Sequence, residues 1–102
     1  MMRIPKKFTV GGQEINVEIV ERLDGNRLGE CCVARGHVAI ARMFDQKNVA
    51  PPSGMLNTFF HELTHAILQT MDEQELNNNE KFVCCFASFL TEAMRSAEYE
   101  SE

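Results

Sequence analysis

The sequence predicts an α+β fold in which a small antiparallel sheet of three to four strands carries two main helices packed on one face. Apolar residues alternate with a period of two in the first half, and they recur every three or four positions in the second half. A connector with two prolines separates the halves, and strands that precede helices are typical of α+β domains. We therefore expect one domain over residues 1–102, strand-rich over 1–44 and helical over 54–96.

The first two strands are predicted to form a hairpin. The run Phe8–Val10 precedes Gly11-Gly12, and apolar residues then alternate at Ile15, Val17 and Ile19. Glycine supplies the positive φ of a tight turn, and the alternation places the three later side chains on the core face of the sheet.

A second pair of strands is predicted over Leu28–Ala34 and His37–Arg42. The stretch Gly36–Ala41 is either an exposed edge strand, whose small residues let another backbone approach, or an interior strand that packs Val38 and Ile40. Both alternatives are open from the sequence alone.

The second half predicts two helices. The segment Asp45–Gly54 is a connector, because its proline pair cannot continue a strand ladder. A helix is predicted over roughly Met55–Gln69, where apolar residues recur at helical spacing, and the polar stretch Met71–Asn79 is predicted to be a loop ending in a helix cap. The predicted core face of the second helix comprises Phe82, Val83, Phe86, Phe89, Leu90 and Ala93.

Charge and hydropathy exclude several classes of protein. Ten Lys and Arg against fifteen Asp and Glu give a net charge of −5, which argues against binding nucleic acid through a basic surface. No apolar run approaches the roughly 20 residues that cross a bilayer, and the basic start Met1–Lys7 leads into no apolar stretch typical of a signal peptide. We expect a cytoplasmic protein without a membrane or nucleic-acid partner.

The four cysteines form two adjacent pairs, Cys31-Cys32 and Cys84-Cys85. A disulfide between neighbouring residues is strained, and the spacing differs from that of a zinc ribbon. We expect reduced thiols that serve partly as small apolar side chains.

The chemistry-bearing motif is His61-Glu62-Leu63-Thr64-His65, an HExxH sequence inside the first predicted helix. Residues four apart lie on one side of a helix, so both imidazoles can reach one metal ion. A zinc ion with three protein ligands keeps its fourth position for a water and lowers the pKa of that water. Glu62 can then act as general base and general acid without being a ligand. The alternative is a surface helix with two solvent-facing histidines.

A third ligand is expected, and Glu80 is the favoured candidate. It opens the second helix, from which a carboxylate held by packing can point across to the first helix. Glu80 can instead serve only to stabilise the helix N-terminus, where negative charge is favourable. The rival ligands are Asp72, Glu73, Glu75 and His37.

The segment Asn57–Leu68, followed by Asn79–Val83, resembles the gluzincin class of zinc metallopeptidases. Nearly the whole chain resembles the minigluzincins and related short HExxH proteins of bacteria, archaea and phages, and more distantly the ImmA/IrrE-type regulatory metallopeptidases. The resemblance implies a hairpin-rich sheet, an HExxH helix and a second helix that bears a glutamate ligand. It implies Zn²⁺ bound by His61, His65 and Glu80, with Glu62 as the catalytic glutamate.

The resemblance also implies peptide or protein substrates that align along an exposed strand, and a C-terminal segment, here Ala97–Glu102, that can cover the cleft. For stabilising an oxyanion, Tyr99, His37 and the arginines are all open candidates. Two rival functions keep some of these features. One is a non-catalytic regulatory module stabilised by zinc, and the other is a phage-type interaction protein that uses an exposed edge strand.

Overall fold

The computed structural model describes residues 3–45 and 47–101. Residues 1, 2, 46 and 102, which belong to the basic start, the connector and the C-terminal segment named above, lie outside this description. In the described chain, four strands precede three helices. None of the helices formed by these residues is long and apolar enough to span a bilayer.

The α+β class, with a small sheet and two long helices, is confirmed. The elements are β1 (Lys7–Val10), β2 (Gln13–Val20), β3 (Gly29–Cys32), β4 (His37–Ala41), α1 (Pro52–Thr70), α2 (Gln74–Asn77) and α3 (Glu80–Ser96). Helix α1 begins at Pro52, three residues before the predicted start, because proline is well suited to the first helical position. Helix α2 is a single turn within the stretch predicted to be a loop.

The sheet is mixed, with the strand order β1-β2-β4-β3. Strands β1 and β2 form the predicted hairpin, and β3 and β4 pair in the predicted antiparallel manner. Strands β2 and β4 instead run parallel, with Val17 opposite Val38. A parallel pair needs a connection of about a dozen residues or more, and residues 21–36 supply one that includes β3 itself.

Strand β4 lies inside the sheet, which answers the question left open for Gly36–Ala41. It is hydrogen-bonded to β2 on one side and to β3 on the other, and Val38, Ala39, Ile40 and Ala41 are all buried. The alternative of an exposed edge at Gly36–Ala41 is therefore wrong. The edge strand beside α1, the helix that contains the HExxH sequence, is β3.

Helix α1 packs on the sheet, and α3 packs against α1. The core joins both halves of the chain and comprises Ile15, Val38, Ile40, Leu56, Phe59, Phe60 and Ala87. The ring of Phe8 meets that of Phe59 edge-on, with centroids 5.8 Å apart. Ile19 was predicted to face the core but is 42% exposed, because it lies near the end of β2.

Helix α3 buries a different stripe from the predicted one. Its buried residues are Val83, Ala87 and Thr91, whereas Phe86 and Phe89 are 47% and 69% exposed. Because α3 lies against α1 rather than against the sheet, only one narrow stripe of it is covered. The prediction that these two phenylalanines belong to the core is wrong.

Candidate metal centre

The HExxH sequence lies within α1, as the spacing predicts. The rings of His61 and His65 lie one turn apart on the same side of the helix, with centroids 4.9 Å apart and planes at 68°. Both rings are half-buried rather than freely solvated. This placement makes the alternative of two solvent-facing histidines a poor description of the pair.

Glu80 is the first residue of α3 and points back at both histidines. Its Oε1 lies 3.3 Å from Nε2 of His65, and its Oε2 lies 3.6 Å from Nε2 of His61. The start of α3 is held by Asn79, whose side-chain oxygen accepts a hydrogen bond of 3.0 Å from the backbone N–H of Phe82. This cap fixes the start of α3 and so helps to hold the Glu80 carboxylate beside the two histidines of α1.

These three side chains form a group that can hold a metal ion, since their ligand atoms all lie within 4.8 Å of one another. Two zinc bonds of about 2.0–2.1 Å at a tetrahedral angle place the donor atoms about 3.4 Å apart. The separations of 3.3 and 3.6 Å between Glu80 and the two imidazoles are close to that value. Two imidazoles with one carboxylate also match the donor set of catalytic zinc sites.

The rival ligands lie elsewhere. Asp72, Glu73 and Glu75 are exposed side chains in the turn after α1 and in α2. His37 lies in β4, where its Nε2 is 4.0 Å from Oε1 of Glu18. Among residues 3–45 and 47–101, none of these four side chains belongs to the three-residue group.

Asn77 orients His65. The two side chains are joined by a contact of 2.6 Å between Nδ1 of the ring and Oδ1 of the amide. An amide oxygen only accepts hydrogen bonds, so Nδ1 donates, and the neutral ring keeps its lone pair at Nε2, the atom that faces Glu80. This role had no signal in the sequence, because Asn77 belongs to the polar stretch Met71–Asn79 that was predicted to be a loop.

The environment of His61 also favours the protonation state that binds a metal. Burial, together with the neighbouring His65, lowers the pKa of His61, and Glu80 opposes this shift only partly. The ring is therefore neutral near pH 7, which is the form that binds a metal. Cys84, one turn after Glu80 on α3, has its Sγ 3.9 Å from Nδ1 of His61.

Glu62 is buried, with 6% of its surface exposed, and with His61 it lines a cavity of about 370 Å³. Burial raises the pKa of Glu62 to about 7, against the opposing influence of His65 and Arg27. Nearby carboxylates, Glu80 first among them, raise it further. A general base works best when its pKa is close to the operating pH, so this environment suits proton transfer.

Gly29, the first residue of the edge strand β3, lines this cavity and lies directly against Glu62. A Cβ atom at Gly29 would lie 2.7 Å from Cγ2 of Thr58 and 3.0 Å from Oε2 of Glu62, so glycine is needed for the carboxylate to fit. Cys31 is half-buried two residues further along, and burial together with Glu62 raises its pKa to about 12. It stays a neutral thiol, and all four cysteines are free.

Of the candidates for oxyanion stabilisation, Arg27 lines the cavity, whereas Tyr99 and His37 do not. The Nε of Arg27 donates to the backbone oxygen of Asp24, and its Nη2 lies 3.0 Å from Oε1 of Glu30, so the guanidinium is held in place. Tyr99 lies in the tail, where residues 97–101 are exposed. The tail leaves α3 about 24 Å along the axis from Glu80, so its described residues do not cover the metal group.

Comparison with known proteins gives no further assignment. No protein-family model, no curated protein and no solved structure matches this chain. The resemblance to the minigluzincins therefore stays a prediction from the sequence, and function has to be inferred from the metal group, the buried Glu62 and the cavity beside them.

Proposed function

We propose that this protein is a zinc-dependent metallopeptidase that hydrolyses peptide bonds. In this proposal His61, His65 and Glu80 hold Zn²⁺, and Glu62 is the general base and acid. The observation that carries it is the convergence of two imidazoles and one carboxylate within 4.8 Å, next to a buried glutamate outside that group. A purely structural metal site has no use for a second carboxylate at the wall of an open cavity.

The chain supplies the groups that the reaction needs. A bound zinc ion supplies a Lewis acid that polarises the scissile carbonyl and lowers the pKa of water. Glu62 accepts a proton from the attacking water and passes it to the amine nitrogen of the leaving half of the substrate. Arg27, held by Asp24 and Glu30, offers its remaining N–H donors to a substrate carbonyl in the cavity.

Strand β3 offers the substrate an edge on which to bind. Within residues 3–45 and 47–101 it pairs with β4 alone, so its other side carries backbone N–H and C=O groups that no described strand pairs, and Gly29 at its start lines the cavity. An extended peptide can add to such an edge through main-chain hydrogen bonds. A second cavity of about 670 Å³ shares Asn57 and Ser88 with the first, which extends the cleft between α1 and α3.

The test replaces Glu62 with Gln. We expect hydrolysis of a mixed peptide library, followed by mass spectrometry, to fall by at least about 10²-fold, while about one zinc per chain and the folded state are retained. Glu75→Gln, an exposed carboxylate on α2, is the matched control and should cleave like the wild type. Hydrolysis by Glu62→Gln at the wild-type rate would show that Glu62 is not the general base.

A non-catalytic, zinc-stabilised interaction module is the second candidate. The observation that favours it is the exposure of Phe86 and Phe89 on α3, the helix that Glu80 opens. Neighbouring exposed aromatic side chains are typical of surfaces that bind other proteins. This candidate gains support if wild-type protein loaded with zinc cleaves no peptide in the library, and it loses support if Glu62-dependent cleavage is observed.

A further inference from the structure

Cys84 touches two of the three candidate ligands, although it belongs neither to the HExxH sequence nor to the metal group. Its Sγ lies 3.9 Å from Nδ1 of His61 and 3.8 Å from Oε2 of Glu80. The first residue is on α1 and the second opens α3, so the sulfur stands between the two helices that the metal group joins.

The register of α3 accounts for this placement. Residues four apart share one face of a helix, so Glu80 and Cys84 both face α1. Cys84 also lines the cavity that contains His61 and Glu62. Its neighbour Cys85 faces another direction and lines a separate surface cavity with Phe82 and Phe86.

The hydrogen-bonding chemistry of a thiol fits the two contacts. When Nε2 of His61 binds a metal, the proton of the neutral ring sits on Nδ1, which must then donate to an acceptor. A thiol has one weak acceptor site and one weak donor. The sulfur of Cys84 can accept from Nδ1 of His61 while its S–H donates to Oε2 of Glu80.

We propose that Cys84 is a positioning residue that ties His61 to Glu80 and so holds both in the orientation that binds the ion. It does for His61 what the amide of Asn77 does for His65. This inference rests on the proposed function only in so far as the three ligands bind a metal, and it does not depend on catalysis. Loss of such a supporting contact typically weakens metal binding by about 10- to 100-fold.

The test measures zinc dissociation constants by competition with a chromophoric chelator, for the wild type and three variants. We expect Cys84→Ala to bind zinc about 10- to 100-fold more weakly. Cys84→Ser, which keeps a donor and an acceptor, should recover at least part of the loss. Cys85→Ala is the matched control, because it removes a neighbouring exposed thiol that touches no ligand, and it should bind like the wild type.

Absorption spectra of the Co²⁺-loaded proteins separate the outcomes. A positioning role predicts visible bands that shift in Cys84→Ala, without a sulfur-to-metal charge-transfer band in the wild type. Such a band would overturn the inference, because the sulfur would then be a ligand itself, and so would unchanged zinc affinity in Cys84→Ala. If the wild type binds neither Zn²⁺ nor Co²⁺, the proposed function fails together with the inference. If metal binds normally but no peptide is cleaved, only the catalytic proposal fails.

Discussion

The imidazole of His65 donates a hydrogen bond of 2.6 Å from Nδ1 to the side-chain oxygen of Asn77, the last residue of α2. The contact connects α1 to the single turn that precedes Glu80 along the chain. It selects the tautomer in which the other ring nitrogen is free to bind a metal, so the short helix α2 takes part in the metal centre without supplying a ligand.

We expect Asn77→Ala to weaken zinc binding by about 10- to 100-fold, because the tautomer and the ring orientation of His65 are no longer fixed. Chelator competition measures the effect. Asn78→Ala, at the neighbouring exposed position, is the control and should leave the affinity unchanged. Equal affinities for the wild type and Asn77→Ala would show that the hydrogen bond does not support the site.

We expect Glu80→Ala to remove most of the stabilisation that zinc gives the protein. A ligand present at about 100 times its dissociation constant stabilises the folded state by about 2.7 kcal/mol, and this gain falls as the constant rises. The measurement is thermal unfolding with and without zinc. Glu73→Ala removes an exposed carboxylate outside the metal group and should keep the full stabilisation by zinc. If Glu80→Ala also keeps the full stabilisation, the third ligand is a different residue.

The pKa of Glu62, raised to about 7 by burial, predicts the pH dependence of the stability of the metal-free protein. The folded state holds this proton more tightly than the unfolded state, whose glutamates titrate near about pH 4.3. The protonated Glu62 therefore contributes its full stabilisation of the folded state below about pH 4, and this contribution is lost as the pH rises through about 7.

The side chain of Glu62→Gln cannot ionise, so this variant does not lose stability over the pH range in which Glu62 ionises. We expect the metal-free variant to be more stable than the wild type by about 2–4 kcal/mol at about pH 8, with no such advantage at about pH 4. Urea unfolding in the presence of a chelator measures the difference. Comparing the two proteins at each pH isolates the contribution of position 62, including its coupling to His65, and a constant difference across the range would contradict the prediction.

We expect Gly29→Ala to reduce peptide hydrolysis strongly while zinc remains bound. The added methyl group would lie 3.0 Å from both Cγ and Oε2 of Glu62 and would displace the carboxylate from its place in the cavity. Gly54→Ala is the control, because its added methyl group comes no closer than 3.4 Å to the ring of Pro51. Unchanged hydrolysis by Gly29→Ala would show that the position of Glu62 tolerates this displacement.

The local features were predictable from the sequence because they depend on neighbouring residues. The hairpin at Gly11-Gly12, the helix around His61 and the capping position of Asn79 follow from turn chemistry, periodicity and capping. The parallel pairing of β2 with β4 was not predictable in this way, because residues distant in the chain decide it.

The same distinction applies to the candidate site. The helical spacing of His61 and His65 placed them on one side of α1, whereas only packing decides that Gly29 abuts Glu62 and that Asn77 meets His65. For Cys84 the four-residue spacing from Glu80 was a usable signal, since it predicts a shared helix face.

The two contacts that join distant parts of this fold close loops of similar length, since His61 and Glu80 lie 19 positions apart and Val17 and Val38 lie 21 apart. Loop-closure entropy therefore favours neither contact over the other. A metal ion bound by all three candidate ligands would hold α3 against α1, so we expect it to favour this helical contact over the pairing of β2 with β4 during folding. Metal supply during synthesis would then influence how fast the chain reaches its native state as well as how stable that state is.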